Sequence, residues 1–165
     1  MKIGIVSDTH DNGDVVERAV KYFEREDVDA VVHCGDFVAP FSATPFENDQ
    51  WEFHAVRGNN DGEWALQSTV AEFGTYHGEA AELTLDGADA AVYHGTSGVV
   101  VDTLVDCGTY DYVFHGHTHE RGHEDGDTVR INPGGIAIPP APDPAHVAVL
   151  DTETGNVAFE RIEGD

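Results

Sequence analysis

Lys2-Ile3-Gly4-Ile5-Val6-Ser7-Asp8-Thr9-His10 and Asp29-Ala30-Val31-Val32-His33-Cys34-Gly35-Asp36 are short apolar runs that each break at a carboxylate. Lys2 to Ser7 and Asp29 to Cys34 have strand length. Between them, Asn12 can cap a helix running to about Glu26, with Val15, Val16, Ala19, Val20 and Phe23 on one face. Uninterrupted apolar strands joined by a helix predict a parallel sheet covered on both faces. Glu52 to Arg57 repeats the strand pattern and ends at Gly58-Asn59.

Further along, a helix is expected near Glu63 to Phe73. His77 to Leu85 and Asp89 to His94 then flank the hairpin signal Asp86-Gly87. Ser97 to Val105 is read as helical, although its valines also suit a strand. Asp111 to Phe114 is a strand delivering a histidine-rich turn. The C-terminal third reads as antiparallel, with Thr128 to Asn132 and a hairpin over His146 to Glu160 split at Thr154-Gly155-Asn156. Four prolines from Pro139 to Pro144 forbid regular structure and are read as a surface connector, with a stiff rim on a site mouth as the alternative. At 165 residues, without repeat or linker, one domain over 1–165 is expected. Its architecture is a two-sheet α/β sandwich with polar residues gathered at strand ends.

Those polar residues carry the chemistry. Asp8 and His10 follow the first strand two apart, and in extended backbone they would face one side. Asp36 follows the next strand, placed to bridge two cations at the sheet edge where α/β proteins bind ligands. Asn59 offers a neutral carbonyl oxygen, His94 follows another strand, and His117 and His119 repeat the two-residue spacing. Each cluster alone also suits an ordinary turn. Together Asp8, His10, Asp36, Asn59, His94, His117 and His119 supply the donors that two adjacent divalent metals require. Oxygen and imidazole donors without thiolate suit Mn²⁺, Fe²⁺, Co²⁺, Ni²⁺ or Zn²⁺, with Mn²⁺ favoured. Two such ions about 3.5–4 Å apart can share a hydroxide and aim it at phosphorus. Cys34 is read as a small buried hydrophobe and not as a ligand. His115 is expected to support the ligands beside it, and the other histidines are read as ordinary residues.

In their order, Asp8-x-His10, Gly35-Asp36, Gly58-Asn59, His94 and Gly116-His117-Thr118-His119 resemble the calcineurin-like metallophosphoesterases. The flanks Ser7-Asp8-Thr9-His10-Asp11, His33-Cys34-Gly35-Asp36 and Asn132-Pro133-Gly134 resemble the small YfcE-type phosphodiesterases of bacteria and archaea. The resemblance implies a four-layered α/β/β/α sandwich with mixed sheets. It also implies one metal at Asp8, His10, His119 and the bridging Asp36, and a second at Asn59, His94 and His117. Asp36, Asn59 and His94 would then serve catalysis as well as ligation. Larger relatives place a leaving-group acid directly after the Gly-Asn pair, but Asn60 stands there and cannot act as an acid. A preference for esters with good leaving groups follows, with Asp61 expected to orient its neighbours. Gly135 replaces a serine often found after Asn-Pro-Gly. The contrasting reading is a protein-interaction scaffold resembling the retromer scaffold subunit. An impaired metal site marks that route, whereas this chain keeps every donor.

Composition bounds the partners. The chain has 32 acidic and 8 basic residues, a formal net charge of −24, and only two lysines, Lys2 and Lys21. Dispersed acids with depleted lysine predict a halophile's protein, working in molar salt that screens self-repulsion. The absence of a basic face argues against long nucleic acid and leaves a small phosphate ester as the expected substrate. No apolar run approaches the roughly 20 residues of a membrane span, and the N-terminus enters a strand without a signal pattern. A cytoplasmic location is expected. Two cysteines are too few for a disulfide framework. Oligomeric state is left open.

Overall fold

In the computed structural model, which describes residues 1–62, 64–136 and 143–162, two mixed sheets pack face to face with helices outside them. The first sheet gathers β1 (Lys2–Val6), β2 (Ala30–His33), β3 (Glu52–Ala55) and β4 (Thr75–Tyr76) in parallel. The second contains β5 (Ala80–Leu85), β6 (Ala88–Tyr93), β7 (Tyr112–Phe114), β8 (Gly122–Glu124) and β9 (Val129–Asn132). The chain then returns to the first sheet, where β10 (His146–Asp151) pairs antiparallel with β1 and carries β11 (Asn156–Arg161) at the edge. The strand orders are β11-β10-β1-β2-β3-β4 and β5-β6-β7-β9-β8.

Strand alternation explains the layers. Ile3, Ile5, Ala30 and Val32 face the second sheet and meet Leu83, Leu85, Val92 and Phe114. Val6 and Val31 point the other way, into a core with Val16, Phe23 and Leu66 from the covering helices. Those helices are α1 (Gly13–Glu26) and α2 (Trp64–Val70). On the far face of the second sheet, Val101 of α3 (Gly98–Asp106) packs against Ala91 and Val113. Both faces of β1 are thus buried, and each isoleucine contributes about 1.5–3 kcal/mol. The four-layered sandwich is as expected. Helix α1 also starts as read, with the Asn12 side chain accepting from the Val15 N–H at 3.2 Å.

Several boundaries differ from the sequence reading. The strand expected from His77 begins only at Ala80, as β5, because His77 to Glu79 cross from the first sheet, where the unanticipated β4 ends at Tyr76, to the second. Strand β8 and two 3₁₀ turns (Pro40–Ser42 and Thr44–Phe46) were not anticipated; β8 is short and polar and carries no apolar alternation. The C-terminal third is not uniformly antiparallel, since β7 pairs with β9 in parallel. Glu63, the expected start of α2, and prolines 139, 140 and 142 of the connector lie outside the described residues.

Candidate metal centre

Asp8, Asp36, Asn59, His94, His117 and their neighbours all leave the ends of strands that the two sheets bring to one edge. The structure gathers all seven expected donors there. Asp8, His10 and His119 form one potential ligand group, and Asp8, Asp36 and His94 form another. Asp8 Oδ1 lies 3.5 Å from His119 Nε2 and 3.9 Å from His94 Nε2, and Asp36 Oδ2 lies 3.4 Å from both His10 Nε2 and His94 Nε2. Asn59 Oδ1 sits between His94 Nε2 at 3.1 Å and His117 Nδ1 at 2.9 Å. Donors that each stand about 2.1 Å from a shared ion lie roughly 3–4 Å apart, which is the spacing seen.

The route to this convergence corrects the sequence argument. Asp8 and His10 do not face one side through strand alternation, because both have left-handed backbone, with φ of 54° and 42°. Asp36, His117 and His119 also have positive φ, at 62°, 71° and 59°. Such conformations cost of order 1–3 kcal/mol each and persist where surrounding structure enforces them. Here the enforcement is visible. The Asp8 and His10 N–H groups donate to the carbonyls of Gly35 and Asp36 at 3.0 and 3.1 Å, and the His117 N–H donates to Asp8 Oδ2 at 2.9 Å.

Asp61 does orient its neighbours, as read: its carboxylate accepts the N–H groups of Asp36, Val38 and Gly58 at 2.9, 2.8 and 2.8 Å. Gly58 must be glycine, because a Cβ there would stand 2.1 Å from Asp36 Oδ1. Gly135 has the same explanation, since its Cβ would meet the Asp8 Cβ at 2.4 Å.

Residues without an assigned task in the sequence reading hold the donors in place. Asn60 donates from its backbone N–H to Asp36 Oδ1 and from its side-chain amide to Asp36 Oδ2, both at 2.8 Å. His33, fully buried, accepts the Gly35 N–H at Nδ1, and its Nε2–H donates to Thr9 Oγ1 at 3.2 Å. It thereby ties the Asp8 loop to the Asp36 loop. Asn132 donates to Gly116 O and Thr118 Oγ1 at 3.2 and 2.9 Å, fixing the histidine loop. The Asn-Pro-Gly run was the available signal for it. Carbonyls of Cys34 and Ile136 accept from Nδ1 of His94 and His119 at 2.8 and 2.7 Å, which leaves each Nε2 free for a ligand. Cys34 is buried and contributes its carbonyl, not its thiol. His115 departs from its expected role: its Nε2 accepts from Arg130 Nε at 2.9 Å, and no bond joins it to His117 or His119 among the described residues.

Electrostatics and unmet bonding capacity indicate what the basin can hold. Burial pushes the Asp8 carboxyl up; burial acts the same way on Asp36, but His94 and Asn60 hold it below the usual carboxylate range. Burial lowers His94, and the two carboxylates more than reverse that, raising it. Asp8 Oδ1 and His10 Nε2 are buried without any hydrogen-bond partner. Orphaned buried polar atoms are rare and costly. A cation between them would satisfy both, so the donor set fits divalent metal.

Comparison with known proteins agrees with this geometry. Residues 1–155 match the calcineurin-like phosphoesterase superfamily domain. The phosphodiesterase MJ0936 of Methanocaldococcus jannaschii is 39% identical over 138 residues, 81% of this chain and 83% of the relative. A solved archaeal phosphodiesterase superposes with a TM-score of 0.89 at 35% identity, covering 97% of this chain and 99% of that one. The fold alone is shared with the E. coli phosphoesterase YfcE, with a TM-score of 0.70 at 20% identity, covering 99% and 100% of the two chains.

Proposed function

The chain belongs to the calcineurin-like phosphoesterase superfamily and is a phosphoric ester hydrolase, and we propose that it is a phosphodiesterase acting on a small ester with two divalent cations. Asp8, His10, His119 and Asp36 would hold one cation, and Asn59, His94, His117 and Asp36 the other. The observation that carries this reading is the pair of orphaned atoms, Asp8 Oδ1 and His10 Nε2, within a ring of seven donors. Bound there, divalent ions would supply Lewis acidity, toward a water and toward phosphoryl oxygens. Mn²⁺ is the first choice, ahead of Fe²⁺, Co²⁺, Ni²⁺ and Zn²⁺.

The protein's own residues do the positioning. Asn60 fixes both oxygens of Asp36, so the bridge cannot rotate away. Asn59 keeps one ligand neutral, which leaves the site electrophilic. With an amide and not an acid at position 60, no side chain there protonates the departing oxygen, and good leaving groups are favoured. The net charge of −24 supports a protein that works in concentrated salt, and the reading extends to a cytoplasmic location. Among the described residues no helix is long and apolar enough to cross a membrane. An interaction scaffold would give no reason for seven donors to converge.

The test is to purify the protein in concentrated KCl, measure bound transition metal, and assay bis-p-nitrophenyl phosphate with Mn²⁺ and with chelator. About two metal ions per chain and chelator-sensitive turnover are expected. A folded protein with neither metal nor turnover would sink the reading. Rates across a series of leaving-group pKa values should fall steeply, and a flat dependence would remove the leaving-group argument.

A further inference from the structure

A cleft of about 300 Å³ opens between α1 and the end of the edge strand β11. Arg18, Lys21, Tyr22 and Arg25 line it from α1, forming one stripe along the helix. Glu160 and Arg161 line it from β11. The chain has 8 basic residues, and four of them meet in this one cleft. Helix α1 starts beside the metal centre and runs away from it. At about 1.5 Å per residue, Arg18 lies about 7 Å and Arg25 about 18 Å along the axis from Gly13. No lining residue is one of the seven metal donors.

The pairing of the cations singles out two of them. Lys21 pairs with Glu17 at 3.4 Å, Arg25 with Glu26 at 3.4 Å and Glu160 at 3.5 Å, Arg57 with Glu79 at 3.0 Å, and Arg130 with Asp102 at 3.4 Å. Lys2 Nζ donates to the Glu26 carbonyl at 2.7 Å, and Arg121 lies over the Phe159 ring. Among the described residues, Arg18 and Arg161 alone of the basic side chains have no ion pair, side-chain hydrogen bond or ring partner. With 32 acids to 8 bases, there are four acids for each base, so an unpaired guanidinium is the exception here. Both exceptions line the same cleft, from its two walls.

We propose that the α1–β11 cleft binds a small multivalent phosphate anion, with Arg18 and Arg161 gripping it from opposite walls. Guanidinium forks match phosphate oxygens two at a time, and their weak hydration favours such pairing over a point charge. A concave site between two elements suits a small molecule better than the flat face of a folded partner. Lys21 and Arg25 are offset by Glu17, Glu26 and Glu160, so the cationic character of the cleft comes from Arg18 and Arg161.

The proposal is tested on Zn²⁺-loaded protein, in the lowest KCl concentration that preserves its folded spectrum, by titrating sodium pyrophosphate and following backbone amides by NMR. Saturable shifts at Arg18–Arg25 and Glu160–Ile162 are expected, with at least tenfold weaker binding there in R18Q/R161Q and none detectable in R18E/R161E. These side chains are exposed, so the variants should keep the wild-type spectrum elsewhere. A parallel titration with ADP separates the sources: equal affinity assigns the site to inorganic phosphates, and tighter binding assigns it to a nucleoside diphosphate. Shifts confined to the metal-centre loops, or undiminished affinity in the double variants, would overturn the proposal. So would a glutamate-rich peptide binding more tightly than pyrophosphate, which would make the cleft a protein-docking site.

Discussion

Among the described residues, two regions leave polar side-chain atoms without a hydrogen-bond partner, and they do so by opposite means. The candidate metal centre leaves Asp8 Oδ1 and His10 Nε2 without a hydrogen-bond partner in a buried basin built by strained loops. Among the described residues, the α1–β11 cleft leaves Arg18 and Arg161 without a partner on an ordinary helix and an edge strand, open to water. Burial makes the first costly unless a cation occupies it, so the surrounding backbone must be held rigidly. Solvent makes the second cheap, so no scaffold of comparable elaboration surrounds it. The contrast predicts large consequences for changes in the basin and small ones for charges on α1.

The most severe break is Asp36→Asn. It removes the carboxylate that the proposal assigns to both metals, and kcat should fall by about 10³ or more, since metal ions contribute several kcal/mol of barrier lowering. Near-normal turnover of bis-p-nitrophenyl phosphate would refute the bridging role. Asp61→Ala should act on the fold instead. It leaves three N–H groups without their acceptor and should cost about 3 kcal/mol in chemical denaturation at fixed salt. A loss below 1 kcal/mol would mean that water replaces the carboxylate freely.

Asn60→Ala should weaken metal binding and lower kcat by about 10–100-fold, as removal of groups that orient ligands does. Calorimetric metal titration checks it, and unchanged metal affinity would assign Asn60 to the substrate. A subtler test concerns His33, whose burial, joined by the nearby His94, holds its pKa well below the usual histidine value of 6.5. The folded state keeps it neutral while the unfolded chain protonates. Its contribution to stability is therefore present above about pH 6.5 and is lost as pH falls below that, at up to about 1.4 kcal/mol per unit. The His33 ring proton shifts should stay flat from pH 8 to 5.5; titration near 6.5 would show that the ring is not locked. Smallest of all, Glu17→Gln removes the exposed Lys21 pair and should change stability by no more than about 0.5 kcal/mol, vanishing in molar salt. A larger loss would contradict the cheapness assigned to charge on this helix.

Much of this was legible in the chain. Apolar runs such as Ile3–Val6 and Ala30–Val32 could only be strands buried on both faces, and the helix between them announced its cap at Asn12. The donors were legible because their residue types stand at strand exits in a specific order. Less visible were β8, too short and polar to show alternation, the two-residue β4, and the change of sheet over His77 to Glu79. A strand that changes sheets looks continuous in one dimension.

Burial pattern and residue chemistry are local properties, so the layers, the candidate donors and the excess of negative charge could be read from the chain alone. Tertiary structure alone decided how the donors meet. Left-handed backbone at Asp8, His10, Asp36, His117 and His119 is stabilised by contacts between residues far apart in the chain, such as the His117 N–H on Asp8. It also decided that Asn60 grips Asp36, that His33 joins two loops, and that Arg18 and Arg161 share a cleft. Each depends on which strand ends and helix faces become neighbours, and that is fixed only when both sheets have closed on their common core.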